Sequence, residues 1–253
     1  MIDTHCHLND PQFEGIVDQM VSNFLQVGVT AAICIGCEIE TSRQAVEIAN
    51  QFDAVFATVG VHPDDCDKYD QAKLENLILS SDKVLAVGEI GLDYYHTKEN
   101  KEQQKQVFIS QIKLAKKYNL PIVVHCRDAY KDTLEILTEY ASFENGVVMH
   151  CYSGSIEFAR QLLKLGAKFS FTGVVTYKNA VNVQEVVKNL PVDSFFFETD
   201  CPYLSPVPLR GQRNEPQNVM HTLKFVADLR KMDYKELEKI TDENARQFFK
   251  CTF

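Results

Sequence analysis

The chain of 253 residues is 45% hydrophobic and 24% charged, the balance of a globular protein able to bury roughly three-quarters of its unfolded surface without staples. Its 26 Lys and Arg against 35 Asp and Glu give a formal net charge of −9, which argues against coating duplex nucleic acid through a basic surface but not against gripping a nucleic-acid end through bound cations. The start lacks a secretory signal and the longest apolar stretch, 31–37, falls far short of the ~18 residues of a membrane span, so a cytoplasmic protein with reduced cysteines is expected.

Short apolar runs and longer amphipathic stretches alternate along the chain. The runs cover Ile2–His5, Thr30–Gly36, Val55–Gly60, Val84–Glu89, Pro121–His125, Gly146–His150, Ala167–Thr172 and Ser194–Thr199. They are β-branched or aromatic in character and nearly continuous in hydrophobicity, as strands buried on both faces are. Between the fourth and fifth, Lys101–Tyr118 carries Val107, Ile109, Ile112, Leu114 and Ala115 at near-helical spacing. Eight strands, each followed by a helix, predict an α/β fold of the (β/α)8 TIM-barrel type, one domain over residues 1–253. A doubly wound open sheet would want a glycine-rich phosphate loop. None of the 11 glycines precedes a lysine and no GxGxxG occurs. A loop over Pro202–Pro216 leads into two closing helices within Glu215–Phe253, and connections this long tend to carry function.

Polar residues interrupt the apolar runs mainly at their C-terminal ends. His5-Cys6-His7 closes the first run, His62 follows the third, Glu89 ends the fourth, His125 the fifth, His150 the sixth and Asp200 the eighth. In a parallel barrel these ends converge on one rim, where active sites of this fold lie. His5 and His7, two apart on a strand, face the same side and can share one metal ion. Four histidines with an aspartate suit Zn, Mn or Mg, and five or more ligands exceed the usual set for one catalytic zinc. A carboxylate such as Glu89 could then bridge two divalent metal ions. The lone Cys34-Ile-Gly-Cys37 lies within and just past a strand and reads as buried strand cysteines rather than a redox pair. Cys6, Cys126, Cys151 and Cys201 each follow a candidate ligand, so alternation turns them into the wall.

Seven motifs then resemble a known family. They are Asp3-Thr-His-Cys-His-Leu, Gly60-Val-His-Pro, Gly88-Glu-Ile-Gly-Leu-Asp-Tyr-Tyr, Pro121-Ile-Val-Val-His-Cys-Arg-Asp-Ala, His150-Cys-Tyr-Ser-Gly, Glu198-Thr-Asp-Cys-Pro-Tyr-Leu and Arg210-Gly-Gln-Arg-Asn-Glu-Pro. In this order they are similar to the TatD family of metal-dependent hydrolases. Tyr152 stands where Phe is common and Cys201 where Ala is common; neither replaces a ligand. The resemblance implies an amidohydrolase-like barrel and a two-metal centre. In it His5, His7 and Asp200 hold one ion, His125 and His150 the other, and Glu89 bridges them. It also implies, as in several members, deoxyribonuclease activity on strand ends by a metal-activated hydroxide. Asp200 would be the general base. His62 would contact the scissile phosphate or the leaving oxygen. Arg127 and Arg213 are candidate phosphate clamps or surface ion pairs. Glu198 would bind substrate, orient a ligand, or be a satisfied strand-end carboxylate, and Asp93 would support a ligand from behind.

Three functions compete at this point: a phosphodiesterase on nucleic-acid ends or a small phosphodiester, an amide or ester hydrolase such as an aminoacyl-tRNA deacylase, and a non-catalytic metal-binding scaffold. The full ligand set counts against the scaffold. The expectation is a monomer with no obligate protein partner and no membrane attachment.

Overall fold

The computed structural model describes residues 1–252; Phe253, the end of the expected closing helices, lies outside the described residues. Eight strands follow one another in sheet order, and every pairing is parallel. They are β1 (Ile2–Cys6), β2 (Ala31–Ile35), β3 (Val55–Val59), β4 (Val84–Asp93), β5 (Ile122–Arg127), β6 (Val147–Met149), β7 (Lys168–Phe171) and β8 (Phe195–Phe197). The helices between them are α1 (Val17–Gln26), α2 (Ile39–Gln51), α3 (Gln71–Leu79), α4 (Lys101–Lys117), α5 (Tyr130–Tyr140), α6 (Ile156–Leu165) and α7 (Val181–Asn189). Two more, α8 (Val219–Arg230) and α9 (Tyr234–Phe249), follow β8. The sheet curls until its ends meet: the Thr4 hydroxyl donates to the Phe197 carbonyl at 3.0 Å, and the backbones of Cys6 and Cys201, both free thiols, pair in parallel. This is the expected (β/α)8 barrel.

The strands are apolar on both faces because each lies between two cores. Alternation assigns Ala32 and Cys34 of β2 to the large core under the helices, and Ala31, Ile33 and Ile35 to a second cluster. That second cluster also holds Val123, Val148 and Phe196, from strands that do not neighbour β2. Such residues can meet only across the barrel interior. Phe248 and Phe249 of α9 join the same cluster and plug its lower end. Burying one such ring contributes about 1.5–3 kcal/mol. Local signals set the helix ends. Ser155 caps α6 by accepting from Phe158 N, and Gly166, at φ 97°, ends it in the left-handed conformation.

Three element ends depart from the sequence reading. β4 runs on to Asp93 and β5 to Arg127, because their extensions pair with each other from Ile90–Val124 to Asp93–Arg127. β8 stops at Phe197, so Asp200 sits in the segment beyond the strand, at φ 57°. The cause is Asp3, whose carboxyl group accepts the Thr199 N–H at 2.8 Å and hydrogen-bonds its hydroxyl at 2.6 Å. Asp200 N–H then donates to the His5 carbonyl at 2.8 Å.

Candidate metal centre

The interior face that is apolar at the bottom of the barrel turns polar at the top. Two residues beyond Val123, Val148 and Phe196 stand His125, His150 and Glu198, carried by the strand period onto the same face. His5 arrives from β1, where the register with β2 slips between Asp3 and Cys6, and Glu89 from β4, where it slips between Val87 and Ile90. These irregularities re-aim side chains at the barrel mouth.

Glu89 occupies the middle and divides its oxygens. Its Oε2 lies 3.4 Å from His5 Nε2, while Oε1 lies 2.7 Å from His150 Nε2, 3.0 Å from His125 Nδ1 and 3.7 Å from His62 Nε2. On the Oε2 side, Asp200 Oδ1 stands 3.5 Å from His5 Nε2 and 3.2 Å from His7 Nε2. The six expected ligands therefore form two groups joined by one carboxylate.

Further carboxylates back the histidines. Asp93 Oδ2 is 3.1 Å from His125 Nε2, on the ring edge opposite Glu89, and Asp93 is itself held by the N–H groups of Tyr95 and His96, each at 2.8 Å. Glu198, 1% exposed, accepts from Cys151 N at 2.7 Å and from the Ser170 hydroxyl at 2.6 Å, beneath His5 and His150. Its Oε1 is 3.3 Å from His150 Nδ1 and its Oε2 is 4.0 Å from His5 Nδ1. The structure thus places Glu198 behind two imidazoles rather than at the open rim. Arg127 is exposed at the end of β5 with its guanidinium over the Tyr95 ring at 4.2 Å. Arg213 pairs with Glu215 at 3.1 Å and donates to the Gln12 carbonyl at 3.0 Å.

Electrostatics follow from burying so many ionisable groups together. Burial would raise Glu89, yet His150, His125 and His5 hold it well below the usual carboxylate range. Burial would lower His150, but Glu89 and Glu198 outweigh it and push it well above the ordinary imidazole value. For Asp200 and His7 burial opposes both charges and their mutual contact prevails, lowering the aspartate and raising the histidine. Burial holds His62 at about 4, against the pull of Glu89 and with the push of His125. Its Nδ1 accepts the Asp64 N–H at 3.2 Å, so the neutral ring carries its proton on Nε2, towards Glu89.

The donor set fits a divalent cation. His5 is fully buried with neither ring nitrogen hydrogen-bonded, and His150 Nδ1, though 3.3 Å from Glu198, makes no well-aligned hydrogen bond. Leaving such a nitrogen unsatisfied costs about 1–3 kcal/mol. Imidazole nitrogens and carboxylate oxygens converging on one volume suit zinc, manganese or a similar ion, which would take up those lone pairs. His5, His7 and Asp200 bring one donor atom each within 4.8 Å of one another, and so do His62, Glu89 and His125.

Sequence reasoning passed over two contributors. Asp3 anchors the segment bearing Asp200, and Cys37 turns its sulfur into the site, 3.7 Å from Glu89 Oε2. Cys37 stands two residues beyond Ile35, whose side chain joins the interior cluster. That spacing was the available signal.

The chain is similar to known proteins along nearly its whole length. The family model described as TatD related DNase matches residues 2–250. An uncharacterized metal-dependent hydrolase, YabD of Bacillus subtilis, is 40% identical over 253 residues, covering 99% of both chains. A 3′-5′ ssDNA/RNA exonuclease TatD of Pectobacterium carotovorum is 32% identical over 258 residues, covering 99% of each. Among solved structures, the TatD homologue YjjV of Escherichia coli superposes with a TM-score of 0.94 at 30% identity, over 100% of this chain and 98% of that one. With its barrel, its cluster of histidines and carboxylates and a match along nearly its whole length, the chain belongs to the TatD related DNase family of metal-dependent hydrolases.

Proposed function

We propose that the chain is a two-ion phosphodiesterase that shortens single-stranded nucleic acid from an end. The observation that carries the reading is the division of Glu89, with Oε2 towards His5 and Oε1 towards His125 and His150. One carboxylate facing two nitrogen-rich groups is the arrangement of a ligand shared by two ions. His5, His7 and Asp200 would hold one ion, and His125 and His150 the other. Bound there, divalent ions supply polarisation of a phosphoryl oxygen and a lowered pKa for an attacking water.

The chain's own residues divide the remaining work. Asp200, kept ionised by His7 and His5, accepts the proton of the attacking water. His62 presents its Nε2–H to a phosphoryl or leaving oxygen, as a neutral donor in the physiological range. Glu198 and Asp93 hold the imidazole rings in orientation from behind. At the mouth, the Arg127–Tyr95 stack and Tyr203, 51% exposed with its ring 6.3 Å from that of His7, offer flat surfaces to unstacked bases. Stacking of this kind contributes about 1–3 kcal/mol per base and favours single strands. Arg213, held by Glu215 and the Gln12 carbonyl, keeps further N–H groups that could meet a phosphate. The relative described as a 3′-5′ ssDNA/RNA exonuclease supports polarity from the 3′ end.

The test is metal-loaded protein on end-labelled single-stranded DNA and RNA, blunt duplex and acylated tRNA, with a chelator control. Chelator-sensitive release of nucleotides from single-strand ends is expected. Cleavage of the acyl ester alone, or no phosphodiester cleavage by fully loaded protein, would overturn the reading.

A further inference from the structure

Cys37 lies past the end of β2, and its backbone is pinned on both sides. Its N–H donates to the Thr41 hydroxyl at 2.9 Å, and its carbonyl accepts the His62 N–H at 2.8 Å. The side chain turns into the site. Its sulfur rests 3.9 Å from His7 Nδ1 and 3.7 Å from Glu89 Oε2. That same Oε2 is 3.4 Å from Nε2 of His5, the fully buried imidazole with no hydrogen-bonding partner. Cys37 and an unsatisfied histidine thus converge on one carboxylate oxygen. The other nitrogen of His7, Nε2, faces Asp200.

We propose that Cys37 is a positioning residue of the metal centre, its sulfur accepting the His7 Nδ1–H while its S–H donates to Glu89 Oε2. The proposal rests on the metal-centre reading above. A neutral imidazole carries one N–H and one lone pair, so a partner that accepts from Nδ1 commits the Nε2 lone pair to the ion. Histidine ligands ordinarily receive this service from a carboxylate, a backbone carbonyl or a water. His125 has Asp93 on its far edge, and His150 has Glu198 on its far side. His7 has a thiol, and sulfur is a weak acceptor. The effect of Cys37 therefore falls on the half of the centre formed by His5, His7 and Asp200.

Cys37→Ala and Cys37→Ser, each checked for folding by thermal melting, separate this role from simple packing. Zinc affinity is measured by competition with a chelator, and the ring nitrogens of His7 by nitrogen-15 NMR of histidine-labelled protein. In the native chain His7 should be a single tautomer with its proton on Nδ1. Removing a partner that orients a ligand costs about 10–100-fold in metal affinity. Cys37→Ala should weaken the ion held by His5, His7 and Asp200, at the lower end of that range, and mix the His7 tautomers. Cys37→Ser, which keeps a donor and an acceptor, should restore both. Unchanged affinity and tautomer in Cys37→Ala overturns the proposal. So does a thiolate-to-metal charge-transfer band in the cobalt-loaded native protein that vanishes in Cys37→Ala, because the sulfur would then be a direct ligand. A native chain that binds no divalent ion overturns the metal-centre reading itself.

Discussion

Asp200→Asn tests the proposed chemistry most directly, because the structure makes it a nearly pure charge substitution. Asp200 sits at φ 57°, a left-handed conformation that asparagine also adopts readily, and its N–H bond to the His5 carbonyl involves only backbone. The side chain keeps its size and one oxygen. It loses the negative charge that lies 3.2 Å from His7 Nε2 and 3.5 Å from His5 Nε2. It also loses the ability to accept a proton from water. A positioned base contributes typically 10²-fold or more to rate, so turnover should fall by about 10²-fold at least, or roughly 2.7 kcal/mol in the barrier. Apparent substrate affinity should change much less, since phosphate binding rests on the ions and on His62. The assay pairs kcat and KM on a single-stranded oligonucleotide with metal content of the same preparation. A fully loaded Asp200→Asn enzyme turning over near the native rate would refute the assignment of the base, even with family membership intact.

His62→Ala should leave metal content intact while lowering turnover or weakening substrate binding, because in the proposed centre His125, His150 and Glu89 supply the ligands of the second ion; His62 Nε2 stands 3.7 Å from Glu89, so loss of metal would show it to be a ligand. Asp93→Asn should weaken ion binding by about 10-fold or more through His125, whose Nε2 it faces at 3.1 Å, and titration with zinc measures this. Asp3 carries a pH prediction. Burial, only partly offset by its bonds to Thr199, raises its pKa from 3.8 to about 8. Between those values the folded chain holds a proton that the unfolded chain releases, so this group's contribution to stability is lost as pH rises through the window. Asp3→Asn removes the titration, and its stability measured by denaturant should decline less steeply from acid to neutral pH than that of the native chain. An equal slope in both proteins counts against a protonated Asp3.

The motif order placed histidines and carboxylates at strand ends, and the strand period already sent His125, His150 and Glu198 to one face. That much was legible because a parallel barrel turns a sequence position, the C-terminal end of a strand, into a spatial one. The same period, applied to Ile35, pointed Cys37 inwards. A packing reading of the lone CxxC concealed it, since nothing local distinguishes a core thiol from one that meets Glu89 across the barrel. Glu198 was ambiguous for a related reason. Its neighbours are Ser170 on β7 and Cys151 just beyond β6, and only their positions decide that its carboxylate lies beneath the imidazoles.

Hydrophobic period and residue type suffice for the alternation of eight strands and their helices, for the family and for the set of polar residues crowning the barrel. How that set divides is a matter of tertiary contacts. Which oxygen of Glu89 faces which histidine, which carboxylate backs which ring, and that Asp200 lies beyond β8 rather than at its end all follow from register slips in β1 and β4 and from Asp3 reaching across to Thr199. Such contacts join residues up to 196 positions apart in the chain. Their energies belong to the closed barrel, and no local pattern encodes them.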